Sequence, residues 1–113
     1  MRADARKLLW DALQAADRVA RFTGGKSFGD YLADELLRSG VERQLAIVGE
    51  ALSQLRRVDP AMASSIAPLS RVVGFRNVLV HAYASVDSRT VWGIIEADLE
   101  PLRVSLGALL AQP

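Results

Sequence analysis

Apolar positions along the chain recur at steps of three and four, the spacing of one helix face, with charged residues between them. From about Asp4 to Thr23, Leu8, Ala12, Ala16, Val19 and Phe22 predict a first amphipathic helix, which Gly24-Gly25 stop. Ser27-Phe28-Gly29-Asp30 has the spacing of a capping box and predicts the start of a second helix, with a pause at Ser39-Gly40. Beyond it, Val41, Leu45, Val48, Leu52 and Leu55 alternate steps of four and three, a seam suited to packing along another helix. Asp59-Pro60 reads as an N-cap followed by a first-turn proline, giving a short helical piece before Pro68. Pro68 is expected to open the next helix in the same way, with Val72, Phe75 and Leu79 on its inner face. Val86-Asp87-Ser88 forms a turn and cap, and Trp92, Ile95, Leu99, Leu102, Leu106 and Leu109 carry a last helix that Pro101 should bend.

No period-two alternation of any length, no repeat and no low-complexity tract interrupts this pattern. The predicted fold is therefore all-α, a single domain over residues 1–113, built as an antiparallel bundle of four main helices plus short pieces. Half of the residues are hydrophobic, a generous share for 113 residues, and a second copy covering part of the surface is the simplest account of it. Lys and Arg number 14 against 13 Asp and Glu, so any contact with nucleic acid must be local. The absence of cysteine excludes disulfides, zinc-thiolate sites and thiol nucleophiles and fits a reducing cytoplasm. Charges at Arg2, Asp4, Arg6 and Lys7 break up the N-terminus, so neither a signal peptide nor a membrane span is expected, and the cytosol is the expected compartment.

The chemistry concentrates around His81, the one histidine. Asn77 lies four residues before it and shares its helix face, while Arg76 and Tyr83 are seven apart and nearly eclipsed. Arg76 and His81 are about 140° apart around a helix axis, so they meet only if the guanidinium wraps, the helix loosens, or copies approach across a two-fold axis. A neutral imidazole can take the proton of an RNA 2′-hydroxyl, whose oxygen then attacks the adjacent phosphorus. Arg76 would hold the phosphate oxygens and stabilise the transition state, and Asn77 could orient ring or phosphate. No metal and no cofactor is called for, since one histidine and no cysteine leave only carboxylates as ligands and none falls in this segment. A symmetric dimer would supply the second histidine that acid-base chemistry wants. On spacing alone, the same residues also fit a solvated helix surface with a packed Tyr83 and a half-buried His81.

Gly74-Phe75-Arg76-Asn77-Val78-Leu79-Val80-His81-Ala82-Tyr83, followed by Val86-Asp87 and Trp92, resembles the signature of HepT-type proteins. These are HEPN-domain toxins paired with minimal nucleotidyltransferase (MNT) antitoxins. Glu42-Arg43-Gln44-Leu45-Ala46-Ile47-Val48-Gly49-Glu50-Ala51-Leu52 resembles the family's earlier helix, and the likeness runs over nearly the whole chain. It implies a metal-independent ribonuclease acting as a homodimer, with Arg76 and His81 of both protomers forming the cleft. It also implies Tyr83 as the residue to which the antitoxin attaches AMP, filling the cleft and displacing RNA. Pro68-Leu69 departs from the proline-tryptophan of many relatives, which suggests a packing change.

Arg43 and Glu50 are seven apart on one helical face beside the small residues Ala46, Gly49 and Ser53. They suit either close helix packing with a surface ion pair or a cleft wall in which Glu50 orients Arg76 or His81. Arg56, Arg57, Arg71 and Arg89 could guide an RNA backbone or sit solvated at helix ends. Two functions of other classes compete with the toxin: a non-catalytic bundle that docks a nucleotidyltransferase or presents its substrate, and a helical dimer without a ligand.

Overall fold

A computed structural model describes residues 1–81 and 86–113, with 76–81 described through their backbone. Every regular element among them is an α-helix: α1 (Ala3–Thr23), α2 (Phe28–Ala33), α3 (Glu35–Val58), α4 (Pro60–Ser64), α5 (Leu69–His81) and α6 (Ser88–Leu110). Four long helices and two short ones match the expected all-α bundle.

Local chemistry sets the boundaries. Ser27 Oγ accepts from the Asp30 N–H at 3.1 Å while the Asp30 carboxylate accepts from the Ser27 N–H at 3.0 Å, completing the capping box of α2. Asp59 caps α4 by accepting from the Met62 N–H at 3.1 Å, with Pro60 in the first turn. Asp87 caps α6 by accepting from the Arg89 N–H at 3.0 Å and the Thr90 hydroxyl at 3.2 Å. One expectation is corrected: the chain does not pause at Ser39-Gly40, which lie inside α3, but at Asp34. There the extended backbone (φ −114°, ψ 97°) lets the carboxylate accept from the Leu37 N–H at 3.0 Å, and this cap outweighs helix continuation. Pro68 precedes α5 rather than entering it, its carbonyl accepting from the Val72 N–H at 3.3 Å. α6 continues as one element through Pro101.

Side-chain ties reveal the packing directions. Arg2 reaches the Val58 carbonyl at 3.2 Å and Arg18 the Gln44 side chain at 3.4 Å, so α1 and α3 run antiparallel. Arg6 reaches the Leu110 carbonyl at 3.0 Å and Arg103 the Asp17 carboxylate at 2.8 Å, which makes α6 antiparallel to α1 as well. α3 lies along both α1 and α5, and α6 packs chiefly on α1. Fully buried Ala5, Ala12, Ala15 and Ala16 give α1 a smooth inner face that lets its neighbours approach closely. The seam of α3 is buried as its spacing predicted, and on α1 the buried stripe passes through Leu9 while Leu8 is half-buried.

Candidate functional site

The segment singled out in the sequence lies on α5. That helix is anchored at its start by the Leu69 N–H donating to Ile66 at 3.1 Å and by buried Ile66, Leu69, Val72, Val73 and Phe75, which belong to the common core. The α-helical backbone continues through Arg76 and Asn77 to His81. The side chains of Arg76, Asn77 and His81, and Tyr83 altogether, lie outside the described residues, as does the side chain of Leu79, expected on the inner face.

Arg43 and Glu50 are both described, and they do come together in one place. They line a groove of about 350 Å³ between α1 and α3, whose walls also include Trp10, Asp11, Arg18 and Gln54. Gln54 Nε2 donates to Glu50 Oε1 at 3.0 Å, and Trp10 is 50% exposed at the rim. Of the neighbouring small residues, Ala46 lines this groove, whereas Gly49 is buried. Gly49 thus packs closely while Arg43 and Glu50 wall a polar groove that faces α1; an approach of Glu50 to Arg76 or His81 lies outside the described residues.

The four arginines considered for RNA divide by environment. Arg56 and Arg57 are exposed in the last turn of α3, where a cation suits the helix dipole. The Arg89 guanidinium sits 5.3 Å from the centre of the Phe28 ring. Arg71 donates to Asp98 Oδ1 at 2.5 Å.

Two features escaped sequence reasoning. Asp98 is 3% exposed, a carboxylate inside the core-facing stripe of α6. The signal was its register, since positions 91, 95, 98 and 102 step by four, three and four, so an acid at 98 falls among Val91, Ile95 and Leu102. The second is an aromatic cluster at the start of α6, where Trp92 meets the rings of Tyr31 and Phe28 at 5.3 and 6.2 Å between centres. Burial pushes the fully enclosed Tyr31 phenol up to about 12. Glu42 on α3 is likewise held above the usual carboxylate range, by burial first, with the charge of Arg38 acting against it.

Among the described residues, no group of three or more His, Cys, Asp and Glu is placed to hold a metal ion, and no helix is long and apolar enough to cross a membrane.

Comparison with known proteins gives a consistent result. The profile of the family described as Ribonuclease HepT-like matches residues 12–109. A candidate RNase of Methanocaldococcus jannaschii is 29% identical over 100 residues, covering 88% of this chain and 91% of its own. The protein named probable ribonuclease HepT of Thermococcus cleftensis is 29% identical over 107 residues, 91% of this chain and 93% of its own. A candidate RNase of Caldanaerobacter subterraneus is 29% identical over 105 residues, 93% of each chain. No solved structure matches the chain significantly.

Proposed function

Since the chain belongs to the HepT-like family of HEPN ribonucleases, we propose that it is the toxin of a toxin–antitoxin pair and cleaves RNA without a metal ion, at a site formed by Arg76, Asn77 and His81. The observation that carries this reading is the family match over residues 12–109, which contains the whole of α5.

Neutral His81 takes the proton of a ribose 2′-hydroxyl. The freed oxygen forms a bond to the adjacent phosphorus as the bond from phosphorus to the 5′-oxygen breaks, leaving a 2′,3′-cyclic phosphate. A second imidazolium protonates the departing 5′-oxygen. With one histidine in the chain, that group is His81 of the partner subunit in a homodimer. Arg76 stabilises the charge that grows on the phosphate oxygens, and Asn77 orients the ring or the phosphate. Glu50 and Arg43 serve as cleft-lining groups.

Control is exerted at Tyr83. An MNT-type nucleotidyltransferase antitoxin directs the Tyr83 hydroxyl onto the α-phosphorus of a nucleoside triphosphate; an oxygen–phosphorus bond forms, pyrophosphate leaves, and the proton passes to solvent. The added AMP places a phosphate beside Arg76 and excludes RNA.

The deciding experiment incubates purified full-length protein with RNA in excess EDTA. Fragments ending in a cyclic phosphate and a 5′-hydroxyl are expected, and their loss in His81→Ala. Intact RNA would favour the non-catalytic docking module, and cleavage that needs magnesium would overturn the mechanism.

A further inference from the structure

We infer that Arg71 and Asp98 form a clamp that sets the height and rotation of α5 against α6, so that Arg71 is a positioning residue for Arg76 and His81 and does not touch RNA itself. The kinetic consequence rests on the ribonuclease reading above; the structural one does not.

The side chain of Asp98 is 4% exposed and accepts from Arg71 Nη2 at 2.5 Å, whereas the Arg71 side chain is 70% exposed. A carboxylate in an apolar stripe is tolerated only when its charge is met by a hydrogen-bonded partner, and here the partner reaches in from the neighbouring helix. α5 lies mainly along α3 and meets α6 lightly. Among the described residues, this is the one ion pair that joins the two. Apolar burial at Val72, Val73 and Phe75 is non-directional and permits sliding and rotation of a helix. A short charged hydrogen bond to a buried acceptor opposes both.

Arg71 precedes Arg76 by five residues and His81 by ten on the same helix, roughly 7.5 and 15 Å along its axis at 1.5 Å per residue. Releasing the clamp would displace both groups together. A misplacement of about 1 Å at reacting groups costs on the order of a hundredfold in rate. The clamp therefore acts on turnover, whereas an arginine gripping phosphate would act on binding and its salt dependence.

The test compares full-length Arg71→Gln, Arg71→Lys, Asp98→Asn and the apolar pair Arg71→Met with Asp98→Leu. Each is followed by melting temperature, amide hydrogen exchange and the kcat and KM for RNA. In Arg71→Gln, exchange of α5 amides from Val72 onward should rise at least tenfold relative to α1. Its kcat should fall at least tenfold while KM stays within about twofold, and Arg71→Lys should restore most of the loss. The apolar pair should recover melting temperature without recovering kcat. Should Arg71→Gln fail to fold, Asp98→Asn, which keeps the side-chain shape, is expected to give the same pattern.

Unchanged α5 exchange overturns the clamp. So does a rise in KM with kcat intact, which would put Arg71 on the substrate, and so does recovery of kcat together with melting temperature in the apolar pair, which would make the contact purely stabilising. If the unaltered chain leaves RNA intact, the ribonuclease reading fails, and α5 exchange still decides the clamp.

Discussion

At the scale of single residues, His81 and Tyr83 are proposed to do different work, and substitution separates them. His81→Ala removes the proton-transfer group, which typically costs about a hundred- to ten-thousand-fold in rate. Tyr83→Phe keeps the ring and removes the nucleophilic oxygen, so RNA cleavage should persist while co-expression with the nucleotidyltransferase no longer adds AMP mass. Loss of cleavage in Tyr83→Phe as severe as in His81→Ala would move the tyrosine into the catalytic set. Tyr31 tests the core instead. Its hydroxyl is buried and has no hydrogen-bond partner among the described residues, and a group left so costs about 1–3 kcal/mol. Tyr31→Phe should accordingly stabilise the protein by about 1 kcal/mol in urea denaturation. Because burial raises the phenol from 10 to about 12, its contribution to stability is complete below pH 10 and lost as pH climbs through about 12. Tyr31→Phe should remove that alkaline weakening, and an unchanged alkaline profile would show that another group causes it.

At the scale of elements, α3 shows how a cap and a glycine compete. Gly40 invited a break in the sequence pattern, yet α3 runs through it because Asp34 supplies a start and the Phe22 ring covers Gly40. A Cβ at position 40 would meet that ring at 3.5 Å, an ordinary contact. Gly40→Ala should therefore raise stability by about 0.5–1 kcal/mol through helix propensity. Asp34→Ala removes the cap and should cost about 1 kcal/mol. Thermal unfolding followed by circular dichroism measures both, and destabilisation by Gly40→Ala would mean that Phe22 cannot give way. α5 differs in kind, since it packs mainly along α3 and meets α6 lightly, where Arg71 pairs with Asp98.

At the scale of the whole molecule, the chain is a thin body with principal extents of 42 × 29 × 19 Å. Trp10 and Leu36 remain 50% and 83% exposed. Such surface, together with one histidine in a proposed reaction that would use two, leads us to expect a two-fold dimer. Light scattering at micromolar concentration should give about 25 kDa, twice the 12.3 kDa chain; a mass of 12.3 kDa alone would exclude the shared site.

The helices were legible in the sequence because their information is local. Apolar periodicity needs only the next turn, and Ser27, Asp59 and Asp87 cap backbone groups two or three residues away. The candidate catalytic segment was legible for a related reason, since Arg76, Asn77, His81 and Tyr83 lie within eight consecutive residues whose pattern resembles a family. What the sequence left open depends on residues distant in the chain. Whether α3 pauses at Gly40 depended on Asp34 and on Phe22 from another helix. That Arg43 and Glu50 wall a groove depended on α1 lying antiparallel beside α3. That Arg71 is tied to a buried Asp98, 27 residues away, depended on α6 returning past α5. Charge pairing of this kind follows from which helix faces meet, and only the packed bundle decides that.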